Sequence, residues 1–173
     1  MNGSPQHPAT RLLNDSGVER SSFVKLHEAA VAADMDLARM TYSNVGELRA
    51  YSSRSGGAIQ ELMAAQLVAP SPLEEAARAT ANRIGIGVRQ SEMLRDLRLD
   101  AYDGRVYLPQ DRLTAHNVAL EDLRGREIPP HAKAALREFK DTVQEELKAA
   151  LASVSAPLRP LAVLLYGDRK SVV

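Results

Sequence analysis

The sequence predicts an all-α fold, and three observations carry that expectation. Ala and Leu are abundant, while the Val/Ile/Tyr/Phe runs that favour strands are scarce. Apolar residues recur at three- and four-residue steps in several long segments, the signature of helices with one buried face. Candidate helix starts and stops, built from Asn, Ser, Pro and Gly, separate those segments.

Residues 1–20 are rich in Pro, Ser, Asn and Gly without helical period and read as a flexible tail, with residues 168–173 as a second. The domain between them, 21–167, is of a size for one hydrophobic core. From Ser22, the positions Phe23, Leu26, Ala29, Ala30, Ala33 and Leu37 trace one helical stripe. Asn44 followed by Glu47 reads as a capping box that opens a helix over Val45 to Leu67. Gly56-Gly57 in its middle lets a neighbouring helix or a ligand come close to the backbone. Ser71-Pro72-Leu73-Glu74 reads as the next start, with Ser as cap, Pro in the first turn and Glu74 reaching back. That helix is expected to run to about Leu99 or Ala101, notched by Gly85 and Gly87 and ended by Asp103-Gly104. Arg105 to Pro109 reads as extended and Leu120 to Leu123 as one helical turn. Pro129-Pro130 opens a long helix with Ala135, Leu136, Phe139, Val143, Leu147 and Leu151 on one face, and Leu158 to Tyr166 forms a last apolar segment.

Composition narrows the function classes. The formal charge is zero, with 22 Lys+Arg against 22 Asp+Glu, so no overall field draws the chain to nucleic acid. Cysteine is absent, which removes disulfides, thiolate catalysis and Cys-ligated zinc and fits a reducing compartment; the expected setting is intracellular, with cytoplasm and mitochondrial matrix or inner-membrane association both open. No apolar run approaches the roughly 18 residues of a membrane span, which leaves peripheral membrane contact. His7, His27, His116 and His131 show no metal-ligand spacing and receive no role.

The stretch Ile84 to Pro109 carries the chemistry. Glu92, Asp96 and Asp100 fall four residues apart and form one acidic stripe, whose mutual repulsion needs compensation. The local cations Arg89, Arg95 and Arg98 supply it in one reading; in the other, a divalent ion does, since carboxylates one turn apart can ligate Mg²⁺.

These residues resemble the squalene and phytoene synthases. Leu94-Arg95-Asp96 matches their LRD, Asp100 the last Asp of the DxxED motif, and Gly104 to Pro109 their GRxYLP, with the spacing kept. Asp36-Leu37 with Tyr42 resembles the DL…Y element, and Glu47 to Tyr51 with Arg54 and Gly57 the family's next helix. Leu113 with Leu120 to Leu123, then Arg159-Pro160-Leu161 and Leu165-Tyr166, carry the similarity to about residue 166. The resemblance implies part of the terpene synthase helical fold, Mg²⁺, and two isoprenoid diphosphates joined head to head. It makes Asp96, Asp100 and Glu92 the metal ligands, places Arg95 and Arg105 on diphosphate, and lines the cavity with Tyr51, Arg54, Gly57 and Tyr107. The family's Gln and Asn fall on Arg89 and Glu92, and the Glu of its DxxED on Leu99. No first aspartate-rich motif precedes residue 36, and Asp34 and Asp36 diverge by about 200° on a helix.

Three functions follow as expectations. The first is a non-catalytic relative that acts as a scaffold, assembly factor or lipid- or isoprenoid-binding subunit, associated with itself or another protein. The second is a Mg²⁺-dependent head-to-head prenyltransferase, as a fragment or one part of a split enzyme. The third is a purely structural helical subunit of a large assembly.

Overall fold

In a computed structural model, the described residues are Arg11, 20–38 and 41–162, with backbone only at 20–22. The expected tails, except the helical Arg11 and Arg20, and the Leu165-Tyr166 element lie outside them. Seven α-helices and no strand occur among the described residues: α1 Arg20–Leu37, α2 Val45–Ser52, α3 Ala58–Val68, α4 Glu75–Tyr102, α5 Gln110–Ala115, α6 Leu120–Arg124 and α7 Pro130–Ala152. The all-α expectation therefore holds. Among the described residues, no helix is long and apolar enough to cross a membrane.

Local signals mostly act as the sequence suggests. The Asn44 side chain accepts from the Glu47 amide at 3.0 Å, while Glu47 reaches back to the Ser43 amide at 2.7 Å, one residue earlier than a strict capping box. The single helix expected over 45–67 is α2 and α3 joined through a π-helical turn, Ser53–Gly57. Ser71 does not cap α4. The helix starts at Glu75 behind an extended Glu74 without a side-chain cap bond. Pro72 disfavours helical backbone at Ser71, and Leu73 is drawn inward to a small cluster with Ala64, Ala81, Leu158 and Leu161. At the other end, Gly104 adopts φ 80°, its amide bonds to Ala101 at 3.1 Å and the Arg105 amide to Asp100 at 2.7 Å. This double closure satisfies the last carbonyls of α4 and turns the chain toward Tyr107. Helix α5, in the stretch after Pro109, is an addition to the sequence reading.

Helix α4 is the axis of the molecule, packing against α7, α3 and the π-helical turn. Close passage is possible because glycine faces glycine. A Cβ on Gly85 would lie 2.6 Å from the Gly57 Cα, so the backbones of α4 and the π turn touch directly. Of the two readings of Gly56-Gly57, helix packing is the one realised there. The main core joins Leu48 and Tyr51 of α2, Met93, Leu97 and Ala101 of α4, Leu123 of α6 and Phe139 and Val143 of α7. Buried Glu61 is held by Lys25 at 2.8 Å and by the Asn82 amide at 2.8 Å, which ties α1, α3 and α4 together.

Candidate functional site

The site lies where α1, the π turn and α4 meet. There Asp36, Ser55, Gly56, Gln60, Arg89 and Glu92 border a hollow of about 330 Å³, whose remaining wall includes Ala29, Ala32, Ala33, Ile59 and Val88. Such a volume is at the lower end for small-molecule sites.

Behind the polar wall three tyrosines stack. Tyr42 and Tyr51 have ring centroids 5.2 Å apart, and Tyr51 and Tyr107 5.8 Å. Two loops fix this cluster, because the Gln110 amide bonds to the Tyr42 carbonyl at 2.9 Å and the Asp111 amide to Ser43 at 3.1 Å. Asp36 sits over the rings. The Tyr51 hydroxyl lies 2.7 and 2.8 Å from its two oxygens, and the Tyr107 hydroxyl donates to one of them at 2.8 Å. Burial first, and then the neighbouring carboxylate, hold both phenols above their ordinary range, so they act as donors.

Arg89 completes the cluster. Its guanidinium donates to the Tyr51 hydroxyl at 2.8 Å and to Glu92 at 3.3 Å, and lies 3.6 Å from Asp36. Its Cζ is 5.7 Å from the ring centres of both Tyr51 and Tyr107. Burial opposes the charge, but the Tyr51 hydrogen bond and the surrounding tyrosines outweigh it, and Arg89 is held more firmly protonated than usual. Two polar atoms beside the hollow, Arg89 Nε and Gln60 Oε1, are buried without a hydrogen-bond partner among the described residues.

The acidic stripe of α4 resolves largely through local cations. Arg89 takes Glu92, and Arg95 grips Asp96 through two bonds of 3.0 and 2.9 Å, holding that carboxyl below its usual range. Arg98 instead donates to the Gly125 carbonyl at 2.9 Å. Asp100 is pushed upward by partial burial and then by the Asp96 charge. Leu99 is 66% exposed, so no buried carboxylate is missing at that position.

The expected site residues separate in space. Tyr51 and Tyr107 are buried in the tyrosine cluster that backs the hollow. Gly57 packs on Asn82, and Gly56, one residue earlier, borders the hollow instead. Arg54 is not part of the hollow's wall: it is exposed and pairs with Glu28 at 3.2 Å, where its charge stays half in water. Arg95 lines a separate depression between α4 and α7, and Arg105 is half-buried with an Nε that has no hydrogen-bond partner among the described residues. Sequence reasoning did not name Asp36, Ser55 or Gln60 as site residues. The matching DL…Y element was the one signal available for Asp36.

Magnesium is the ion the resemblance implies, and these residues do not fit it. Asp36 is engaged by two phenols, Asp96 by Arg95, and Asp36 and Glu92 share the Arg89 guanidinium, so the carboxylate oxygens a divalent ion would need are already partnered. Among the described residues no group of three or more acidic or histidine side chains is placed to hold a metal.

The comparisons with known proteins agree on the fold. A family model described as squalene/phytoene synthase matches residues 2–167. The chain is 30% identical over 119 residues to the phytoene synthase of Thermus thermophilus, covering 69% of this chain and 40% of that protein. It is 35% identical over 118 residues to the phytoene synthase of Mycobacterium tuberculosis, covering 64% and 38%. It thus spans about two fifths of the length of these relatives. Among solved structures, squalene synthase HpnC from Alicyclobacillus acidocaldarius superposes with a TM-score of 0.71 at 17% identity, over 95% of this chain and 62% of that one. A dehydrosqualene synthase in complex with ligand gives 0.67 at 19% identity, over 79% and 48%. The collinear motifs, the helical architecture and the match across nearly the whole chain lead to one conclusion: this chain belongs to the squalene/phytoene synthase family.

Proposed function

We propose that this chain is a non-catalytic squalene/phytoene synthase-like protein that acts as an isoprenoid-binding scaffold subunit in a complex. One observation carries the reading: the Arg89 guanidinium lies between Asp36 and Glu92. One cation against two carboxylates leaves that cluster at a net charge of −1 (1 − 2), which repels a diphosphate rather than stabilising its departure.

The hollow favours a neutral ligand. Its alanines, Ile59 and Val88 suit an isoprenoid chain. A prenyl alcohol brings a hydroxyl rather than a charge, which suits the polar rim that Ser55, Gln60 and Arg89 contribute. The scaffold role draws support from α3, where Ile59, Met63 and Leu67 recur at four-residue steps and stay 37%, 38% and 43% exposed. An apolar stripe of this kind is what a partner protein covers.

Calorimetry tests the reading. Farnesol is expected to bind without Mg²⁺, and a farnesyl thiodiphosphate analogue to give no Mg²⁺-dependent heat. Asp96→Ala leaves both results unchanged. Release of pyrophosphate from an allylic diphosphate by this chain alone would sink the proposal.

A second reading, one part of a Mg²⁺-dependent prenyltransferase, is favoured by Asp96 and Asp100, whose carboxylates sense one another on consecutive turns of α4. It requires the opposing acidic groups to come from another polypeptide. It predicts pyrophosphate release only in the complex, and loss of that release in Asp96→Ala.

A further inference from the structure

On the face of α4 turned away from the hollow, a second depression of about 580 Å³ runs between α4 and α7. Leu94, Ile128 and Leu136 form its half-exposed floor, above buried Leu97 and Val143. Cations line both banks. Lys133, Arg137 and Lys140 stand at three- and four-residue steps along α7, and Arg95 and Arg98 along α4.

Arg95 is bonded to Asp96, and Arg98 donates to a neutral carbonyl. Lys133, Arg137 and Lys140 carry no ion pair among the described residues. Four of the five charges (5 − 1) thus face one trough without a carboxylate partner among the described residues, on a chain whose formal charge is zero. Like charges one turn apart lower the stability of α7, so the arrangement is not explained by the fold of this chain.

We propose that this trough is the docking site for an acidic amphipathic helix of a partner polypeptide. The distribution of charge selects that occupant. A single-chain lipid or prenyl diphosphate carries its charge at one end, and would leave most of the cations unmatched. A flat bilayer meets a concave trough poorly. The α7 bank from Lys133 to Gln144 extends about 16 Å, or three turns of a docked helix. A helix with apolar residues at i, i+3 or i+4 and i+7 fills the floor, while Glu or Asp on its two flanks meets both banks. The site is remote from the hollow, so the proposal stands whether or not the isoprenoid reading does.

The test uses the full chain and a fluorescein-labelled, acetylated and amidated peptide of four helical turns, with Leu on one stripe and Glu on both flanks. Fluorescence anisotropy is expected to give saturable binding that a scrambled peptide of the same composition does not. Joint substitution Lys133→Glu, Arg137→Glu and Lys140→Glu is expected to weaken it by about 30-fold or more, as three lost ion pairs of modest strength predict. All three residues are exposed, and circular dichroism checks the fold; the milder joint change to Gln is expected to weaken binding about 10-fold if the Glu variant unfolds. Absence of peptide binding, or equal binding to the scrambled peptide or to the Gln variant, overturns the proposal. So does flotation with phosphatidylglycerol vesicles that the peptide fails to displace. Self-association lost in the Gln variant, without peptide binding, overturns it in favour of a second copy of this chain.

Discussion

Arg89 donates a 2.8 Å hydrogen bond to the Tyr51 hydroxyl, 38 residues away in the sequence, and that hydroxyl donates in turn to Asp36. A cation is thereby delivered to the carboxylates without a metal. The carboxylates of the hollow's polar wall are thus already engaged, while Gln60 Oε1 and Arg89 Nε beside them keep no hydrogen-bond partner among the described residues.

Replacing that cation is expected to free those carboxylates. Arg89→Gln leaves Asp36 and Glu92 uncompensated and lowers stability by about 1–2 kcal/mol, the usual cost of losing a charged hydrogen-bonding partner. It also creates a sink for a divalent ion. At about 10 mM MgCl₂ a site of roughly 2 mM affinity adds about 1 kcal/mol to the variant. The parent chain is expected to show no such gain. Thermal melts with and without Mg²⁺ read the difference, and an equal response in both proteins contradicts the network described above.

Tyr51 and Tyr107 share one acceptor, so their effects are expected to be coupled. Tyr51→Phe costs about 1–2 kcal/mol because it removes a donor to Asp36 and the acceptor of Arg89. Tyr107→Phe is expected to cost less. Urea unfolding of the two single variants and the double variant measures an interaction energy of at least about 0.5 kcal/mol. Simple additivity refutes a shared network.

The glycine crossing is expected to tolerate no side chain. Gly85→Ala places a methyl 2.6 Å from the Gly57 Cα, where only backbone can yield, and is expected to cost about 3 kcal/mol or prevent folding. Gly87→Ala meets Leu147 side-chain atoms at 3.0 Å, which can shift, and is expected to cost roughly 1 kcal/mol. Chemical denaturation ranks the pair; a reversed order disproves backbone contact at residue 85.

Acid is expected to loosen α7. The hydrogen bond with His116, helped by Arg112, holds the Glu138 carboxyl below its usual range. A carboxyl depressed in the fold stabilises it at pH above its unfolded value of about 4.3, and that contribution disappears as pH falls through the lower folded value. Melting temperature measured between neutral pH and about pH 3 is therefore expected to decline less in Glu138→Gln than in the parent. Parallel curves dispose of the linkage.

Much of the architecture was legible locally. The long helices, the Asn44 start, the Asp103-Gly104 stop and the glycine notches depend on residues within a few positions of one another, where periodicity and capping chemistry act. The collinear motifs led to the family for the same reason: their spacing survives even where single residues have changed. The Ser71 start failed because a burial contact of Leu73 overrode a local cap. Arg54 pairs with Glu28, a partner 26 residues away that helix position alone does not reveal.

From its sequence alone this protein is an α-helical member of a recognisable family, with an acidic stripe on its longest helix and an arginine, Arg89, within that stripe's own turn. Only the tertiary structure decided what that arginine does. The bonds from Arg89 to Tyr51, from Tyr51 to Asp36 and from Tyr107 to Asp36 join residues 38, 15 and 71 positions apart. The physical reason is that helix periodicity is set by neighbours along the chain. The pairing of buried charges is instead set by which helices pack, and here two glycines let the π turn and α4 close to backbone contact.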